Sequence, residues 1–141
     1  CLPKLTARDI TKPQVYKIPN TITNNEIMQL FLRGPGNYLY TTDADDNLQG
    51  VISFQDLKEF IYDDQLQGLV YAKDLANTDM VYVTPDETLA SSLNKFSYID
   101  MEELPVVASG DGFRRLMGVI TRNELMKIYR QEMLKRVMIK T

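Results

Sequence analysis

GVISFQDL at 50–57 and GVITRNEL at 118–125 say nearly the same thing 68 positions apart. Each carries an apolar, β-prone run into a hydroxyl residue and then into an amphipathic pattern, as a strand does when it passes into a helix. A repeat decides whether a chain holds one irregular fold or two copies of one unit, so it is settled first. More of the chain falls into the same frame. ARDI at 7–10 pairs with AKDL at 72–75, and a shift of 66 places Val15, Tyr16, Pro19, Ile27, Leu30, Tyr38 and Tyr40 on Val81, Tyr82, Pro85, Leu93, Phe96, Leu104 and Val106. Two extra residues around FRRL then bring GVIS onto GVIT. The sequence reads as two copies of one unit.

Each copy predicts a short strand before a proline, an amphipathic helix, a strand, a polar turn, a second strand and a second helix. In the first copy these are ITNNEIMQLF, where Thr23 and Glu26 have capping-box spacing, then NYLYTT, DADDN, QGVIS and FQDLKEFI. In the second they are TLASSLNKF, ELPVVA, SGDGFR, RLMGVIT and RNELMKIYRQEML, with GD and DG marking the hairpin. A copy of about 60 residues cannot close a core alone. The expected fold class is therefore α+β, with two β-α-β-β-α repeats packed sheet to sheet in pseudo-twofold symmetry. The repeats are placed at 7–62 and 72–131, with a linker at 63–71 and a basic C-terminal tail at 132–141.

The composition narrows the chemistry. Of 141 residues 44% are hydrophobic and 25% charged, ordinary proportions for an ordered globular chain. No window approaches the roughly 18 to 20 uninterrupted apolar residues that a membrane span needs, so the segment is expected to be soluble by itself. One cysteine and no histidine exclude an internal disulfide, the usual zinc constellations and histidine-dependent triads. A net charge of −3 has the wrong sign for nucleic acid. Cys1 in place of an initiator methionine reads as a piece of something longer, or a processed chain. No catalytic constellation stands out: acids such as Asp63, Asp64, Asp100, Glu102 and Glu103 read as solvated surface, and the chain is not expected to be an enzyme.

The two occurrences of strand, G-V-I-[S/T]-x-x-[D/E]-L and helix, with ELPVV before the second, resemble a tandem pair of CBS (cystathionine-β-synthase) domains over about residues 7–130. LKEFIYDDQLQGLVYAKDL, MEELPVV and LMGVITRNELMKIYRQE are most similar to the C-terminal cytoplasmic CBS pair of bacterial ClC-type chloride channels and transporters. Magnesium transporters and efflux proteins are other hosts of such pairs. The resemblance implies a noncatalytic regulatory module at the cytoplasmic face of the cell membrane. It also implies a homodimer joined to the transmembrane domain of the same polypeptide, with no required cofactor.

Family members bind adenine nucleotides between the copies, which makes ATP, ADP or AMP the implied ligand. The hydroxyl of G-x-x-[S/T]-x-x-D approaches the phosphate and the acid accepts hydrogen bonds from the ribose. Carried over by position, one site would use Thr121 and Glu124 with Val15, Tyr16, Pro35, Gly36 and Tyr38. The other would use Ser53 and Asp56 with Val81, Tyr82, Met101, Glu102 and Leu104. Glu124 is one methylene longer than the family's aspartate, Pro35 stands where relatives can place a stacking ring, and Glu102 would repel a phosphate unless Arg122, Arg114 or Lys12 offset it. The same S-x-x-D and T-x-x-E have capping-box spacing, so a purely local role accounts for them equally.

Three other stretches have simpler readings. DADDN at 43–47 resembles the opening of a calcium loop, but Leu48 and Phe54 stand where the glycine and the closing glutamate belong, so it is read as a hairpin turn. GPGN at 34–37 lacks the lysine of a phosphate loop and is read as a helix-to-strand connection. The C-terminal stretch places Leu125, Ile128, Tyr129, Met133 and Val137 on one helical face, with Lys127, Arg130, Lys135 and Lys140 mostly elsewhere. It reads as a final helix docked on the module, and beside a membrane its cations would make a weak contact with an anionic surface.

Overall fold

The computed structural model describes residues 4–34, 36–61 and 70–140. Along the chain run α1 (Ala7–Ile10), β1 (Lys17–Pro19), α2 (Asn24–Leu32), β2 (Tyr38–Thr42), β3 (Leu48–Ser53) and α3 (Phe54–Ile61). They are followed by α4 (Ala72–Leu75), α5 (Leu89–Phe96), β4 (Glu103–Gly110), β5 (Phe113–Thr121) and α6 (Arg122–Lys140). These form two compact units, one of Val15–Met80 and one of Cys1–Gln14 with Val81–Thr141. The units are not cut where the sequence repeats begin. ARDI, the first element of repeat 1, belongs to the unit that holds repeat 2, and AKDL belongs to the unit of repeat 1.

In the Val15–Met80 unit, β1 lies parallel to β2 and β2 antiparallel to β3. The apolar residues of each element converge on one cluster of Ile18, Ile27, Leu39, Ile52, Leu57 and Ala72. Each fully buried aliphatic side chain of this kind is worth roughly 2 kcal/mol. Thr23 caps α2 in a complete capping box: its hydroxyl accepts from the Glu26 amide and the Glu26 carboxylate accepts from the Thr23 amide. DADDN is a hairpin turn, as expected. The Asp43 carboxylate accepts from the amides of Asp45 and Asn47 at 2.9 Å, and Asp46 takes a φ of 62°.

The other unit is built alike, with β4 antiparallel to β5 and a core of Ala7, Val83, Leu89, Phe96, Leu104, Val106, Ile120 and Leu125. Its expected first strand shrinks to a single parallel bridge. Val83 donates to Pro105 O at 3.0 Å and accepts from Val107 N at 2.8 Å. Proline limits this ladder, because Pro105 has no amide to offer the incoming segment.

The ladders correct the shift of 66. Tyr38 pairs with Ser53 and Glu103 with Thr121, so Tyr38 corresponds to Glu103 and Leu39 to Leu104. As far as the hairpin turn the frame is 65: it carries Ala7 to Ala72, Ile18 to Val83, Thr23 to Thr88 and Phe31 to Phe96. Three extra residues, not two, then precede the second glycine. A slip of one residue exchanges the two faces of a strand, and the frame of 65 pairs buried Ile18 with buried Val83 and half-buried Tyr38 with half-buried Glu103, where 66 would pair them with half-buried Thr84 and buried Leu104. Leu39, Leu104, Ile52 and Ile120 are all fully buried, whereas Tyr38 is not. Of the V-Y-x-x-P residues that suggested 66, all but Pro85 are half-buried or exposed, where packing constrains the side chain less.

Candidate functional site

The repeated glycine is explained by what passes beside it. In the Val15–Met80 unit the segment leaving α4 bridges the free edge of β3. Asn77 N donates to Val51 O at 2.8 Å and Val51 N to Asn77 O at 3.0 Å. In the other unit the segment leaving α1 does the same to β5, with Lys12 and Val119 exchanging both bonds at 2.8 Å. A Cβ on Gly50 would come within 2.9 Å of Ala76 Cβ and Asn77 O, and one on Gly118 would collide with the Lys12 carbonyl and the Thr11 methyl. Only glycine lets the segment approach. The residue before each glycine, Gln49 or Met117, is skipped in the pairing as a β-bulge.

Each strand ends in its hydroxyl residue directly before its helix, Ser53 before α3 and Thr121 before α6. Ser53 Oγ accepts from Asp56 N at 3.0 Å, and Thr121 Oγ1 accepts from Glu124 N at 3.3 Å, so both hydroxyls cap their helices as the local reading expects. The acids do not complete the box. Asp9, Glu26, Asp74 and Glu87 each fold back onto the amide three residues earlier. The carboxylates of Asp56 and Glu124 make no hydrogen bond or ion pair among the described residues.

The remaining candidates divide between the units. Val15, Tyr16, Gly36 and Tyr38 share a unit with Ser53 and Asp56, whereas Val81, Tyr82, Met101, Glu102 and Leu104 share one with Thr121 and Glu124. Each expected grouping therefore mixes residues of both units. Tyr38 lies beside Ser53 in the ladder, and a cavity of about 250 Å³ opens there, lined also by Asn37, Phe54 and Gln55. It is below the usual range of roughly 300–1,000 Å³ for small-molecule pockets, so it suits one polar group rather than a whole nucleotide. Tyr16 is exposed, and Gly36 has a φ of 131° in the connection between α2 and β2. Pro35 falls outside the described residues, as do Asp63, Asp64 and Cys1.

In the other unit Leu104 is fully buried in the core, which takes its side chain out of reach of a ligand. Tyr82 is half-buried, with the Arg114 guanidinium 5.2 Å and the Lys95 ammonium 5.9 Å from its ring centre. Arg122, expected to offset a phosphate, is engaged elsewhere. Its guanidinium donates to the carbonyls of Phe96, Ile99 and Met101 at 2.7–2.9 Å, stacks 5.0 Å from the Phe96 ring, and stands 3.9 Å from the Glu102 carboxylate. It ties the end of α5 to the start of α6. Nothing in the sequence distinguishes this arginine from a ligand-binding one, because its acceptors are backbone carbonyls that any residues would supply.

Residues 72–131 match the family model of the CBS domain. Solved CBS structures cover nearly the whole chain. CBSX2 in complex with AMP is 21% identical with a TM-score of 0.75, over 90% of this chain and 97% of that one. The CBS domain pair of protein MJ0100, in complex with 5′-methylthioadenosine and S-adenosyl-L-methionine, is 18% identical with a TM-score of 0.73, over 92% and 99%. The fold is that of a CBS domain pair. The cytosolic domain of the Mg2+ channel MgtE in complex with ATP is 24% identical with a TM-score of 0.71, and this chain spans 87% of its own length but 48% of that structure. A comparison with curated proteins finds no significant match. The α+β class and the repeated CBS architecture expected from the sequence are thus found.

Proposed function

We propose that this CBS pair is a noncatalytic regulatory module whose ligand is an adenine nucleotide. The observation that carries the reading is the pair of unengaged carboxylates, Asp56 and Glu124, each held at the start of a helix by a strand that ends in a capping hydroxyl. A carboxylate that neither caps nor pairs is available to the two hydroxyls of a ribose. Similar folds hold AMP, ATP and S-adenosyl-L-methionine, and this supports the ligand class. Arg122 is spent on backbone carbonyls and Glu102 adds negative charge, so AMP should bind at least as well as ATP.

The host we propose is a membrane transporter of the ClC chloride type. The module would lie at the cytoplasmic face of the membrane and act through the homodimeric arrangement of the full protein. The resemblance of the linker and of LMGVITRNELMKIYRQE supports this host; MgtE among similar folds supports a transporter host more generally. A ligand regulates only by binding two arrangements unequally, so nucleotide should change the stability of one arrangement over another. Titration calorimetry with AMP, ADP and ATP tests the ligand: absence of heat together with an unmoved melting temperature at millimolar nucleotide rejects it. The sequence preceding Cys1 tests the host. A series of membrane-spanning helices supports it, and a soluble enzyme domain there rejects it.

A further inference from the structure

We infer that the outward face of α6 is a docking surface for anionic lipid, independently of what the nucleotide reading predicts. The first turns of α6 are tied to the core by Leu125, Ile128 and Tyr129. Past them the helix continues, and Met133 and Val137, expected on its docked face, stand exposed. Met126, Met133, Leu134 and Val137 are 43%, 45%, 62% and 58% exposed, and their spacing puts them along one stripe. Clustered apolar exposure of this kind marks an interaction surface.

Charge chooses the occupant. Between Met126 and Ile139 stand four cations, Lys127, Arg130, Lys135 and Arg136, against one carboxylate, Glu132, in a chain whose net charge is −3. Glu132 is already paired with Lys135 at 3.3 Å. Lys127 borders the stripe and Arg130 stands within it, and on its other side Met133 and Arg136 share a groove of about 320 Å³ with Lys4 and Leu5. A second copy laid along this face would bring the same cations together. An anionic bilayer surface instead offers acyl chains to the stripe and negative headgroups to its rim.

Co-sedimentation of the full chain with phosphatidylcholine vesicles, with and without phosphatidylglycerol, tests the inference. Binding is expected only with phosphatidylglycerol, and raised salt should weaken it. The K127Q/R130Q variant should lower the partition coefficient about fivefold per cation removed, and L134Q/V137Q should abolish binding. Both variants alter exposed side chains and should melt at the temperature of the unchanged chain. Absence of binding at low salt, equal binding to phosphatidylcholine alone, or insensitivity to both variants overturns it. So does a concentration-dependent dimer in sedimentation velocity that disappears in L134Q/V137Q while vesicles stay unbound, which assigns the face to a second copy.

Discussion

Lys12 and Val119 exchange both backbone hydrogen bonds, each at 2.8 Å, directly over a glycine that has no room for a methyl group. Gly118→Ala must therefore push a backbone carbonyl away, whereas Gly50→Ala meets a side-chain methyl and a carbonyl at 2.9 Å. We expect losses of about 3 kcal/mol for Gly118→Ala and about 1 to 2 kcal/mol for Gly50→Ala, measured by urea denaturation. Equal small effects would show that the bridging segments shift freely.

The hydroxyl and the acid of each repeated line should separate in their effects. Ser53→Ala and Thr121→Ala remove caps and should each cost about 1 kcal/mol. Asp56→Asn and Glu124→Gln remove carboxylates that bond to nothing described, so they should leave stability within about 0.5 kcal/mol while weakening AMP binding in calorimetry. Acid variants that destabilise the chain as much as the hydroxyl variants do would assign these residues to capping alone.

Arg122 joins three carbonyls and an aromatic ring. Lysine keeps the charge but cannot span that fork, so Arg122→Lys should still destabilise by about 2 kcal/mol. Its effect on nucleotide affinity should be no larger than the loss of folded protein explains, as read by calorimetry on the folded fraction.

Burial pushes the Glu87 carboxyl up, but hydrogen bonds from Lys95, Ser91 and the Thr84 amide, with the Lys95 charge, hold it below its ordinary 4.5. A depressed folded-state value means stability that is complete above 4.5 and lost as pH falls through the lower value. Denaturation between neutral pH and pH ~3 should show this acid loss, and Glu87→Gln should flatten it while lowering stability at neutral pH. An unchanged slope in the variant would place the acid sensitivity in other carboxylates.

The duplicated line, the order of the elements and the fold class were legible in the sequence because periodicity and turn residues report local preference, and two copies report it twice. The frame of the repeat was legible only to within one residue. Val15, Tyr16 and Pro19 matched at 66 by residue type, while the ladders of Tyr38 with Ser53 and Glu103 with Thr121 set it at 65. Hydrogen-bond register and burial are long-range, and no local pattern contains them. The same holds for the exchange of ARDI and AKDL between units, for the engagement of Arg122 by carbonyls far along the chain, and for the exposed end of α6. Local pattern specified most of the strands and helices and their duplication, though not the short helices α1 and α4 or the reduction of the second copy's first strand to the Val83 bridge. Tertiary structure decided which acids remain unbound, which cation is consumed, and why the repeated residue is glycine, because each depends on what a distant segment places beside it.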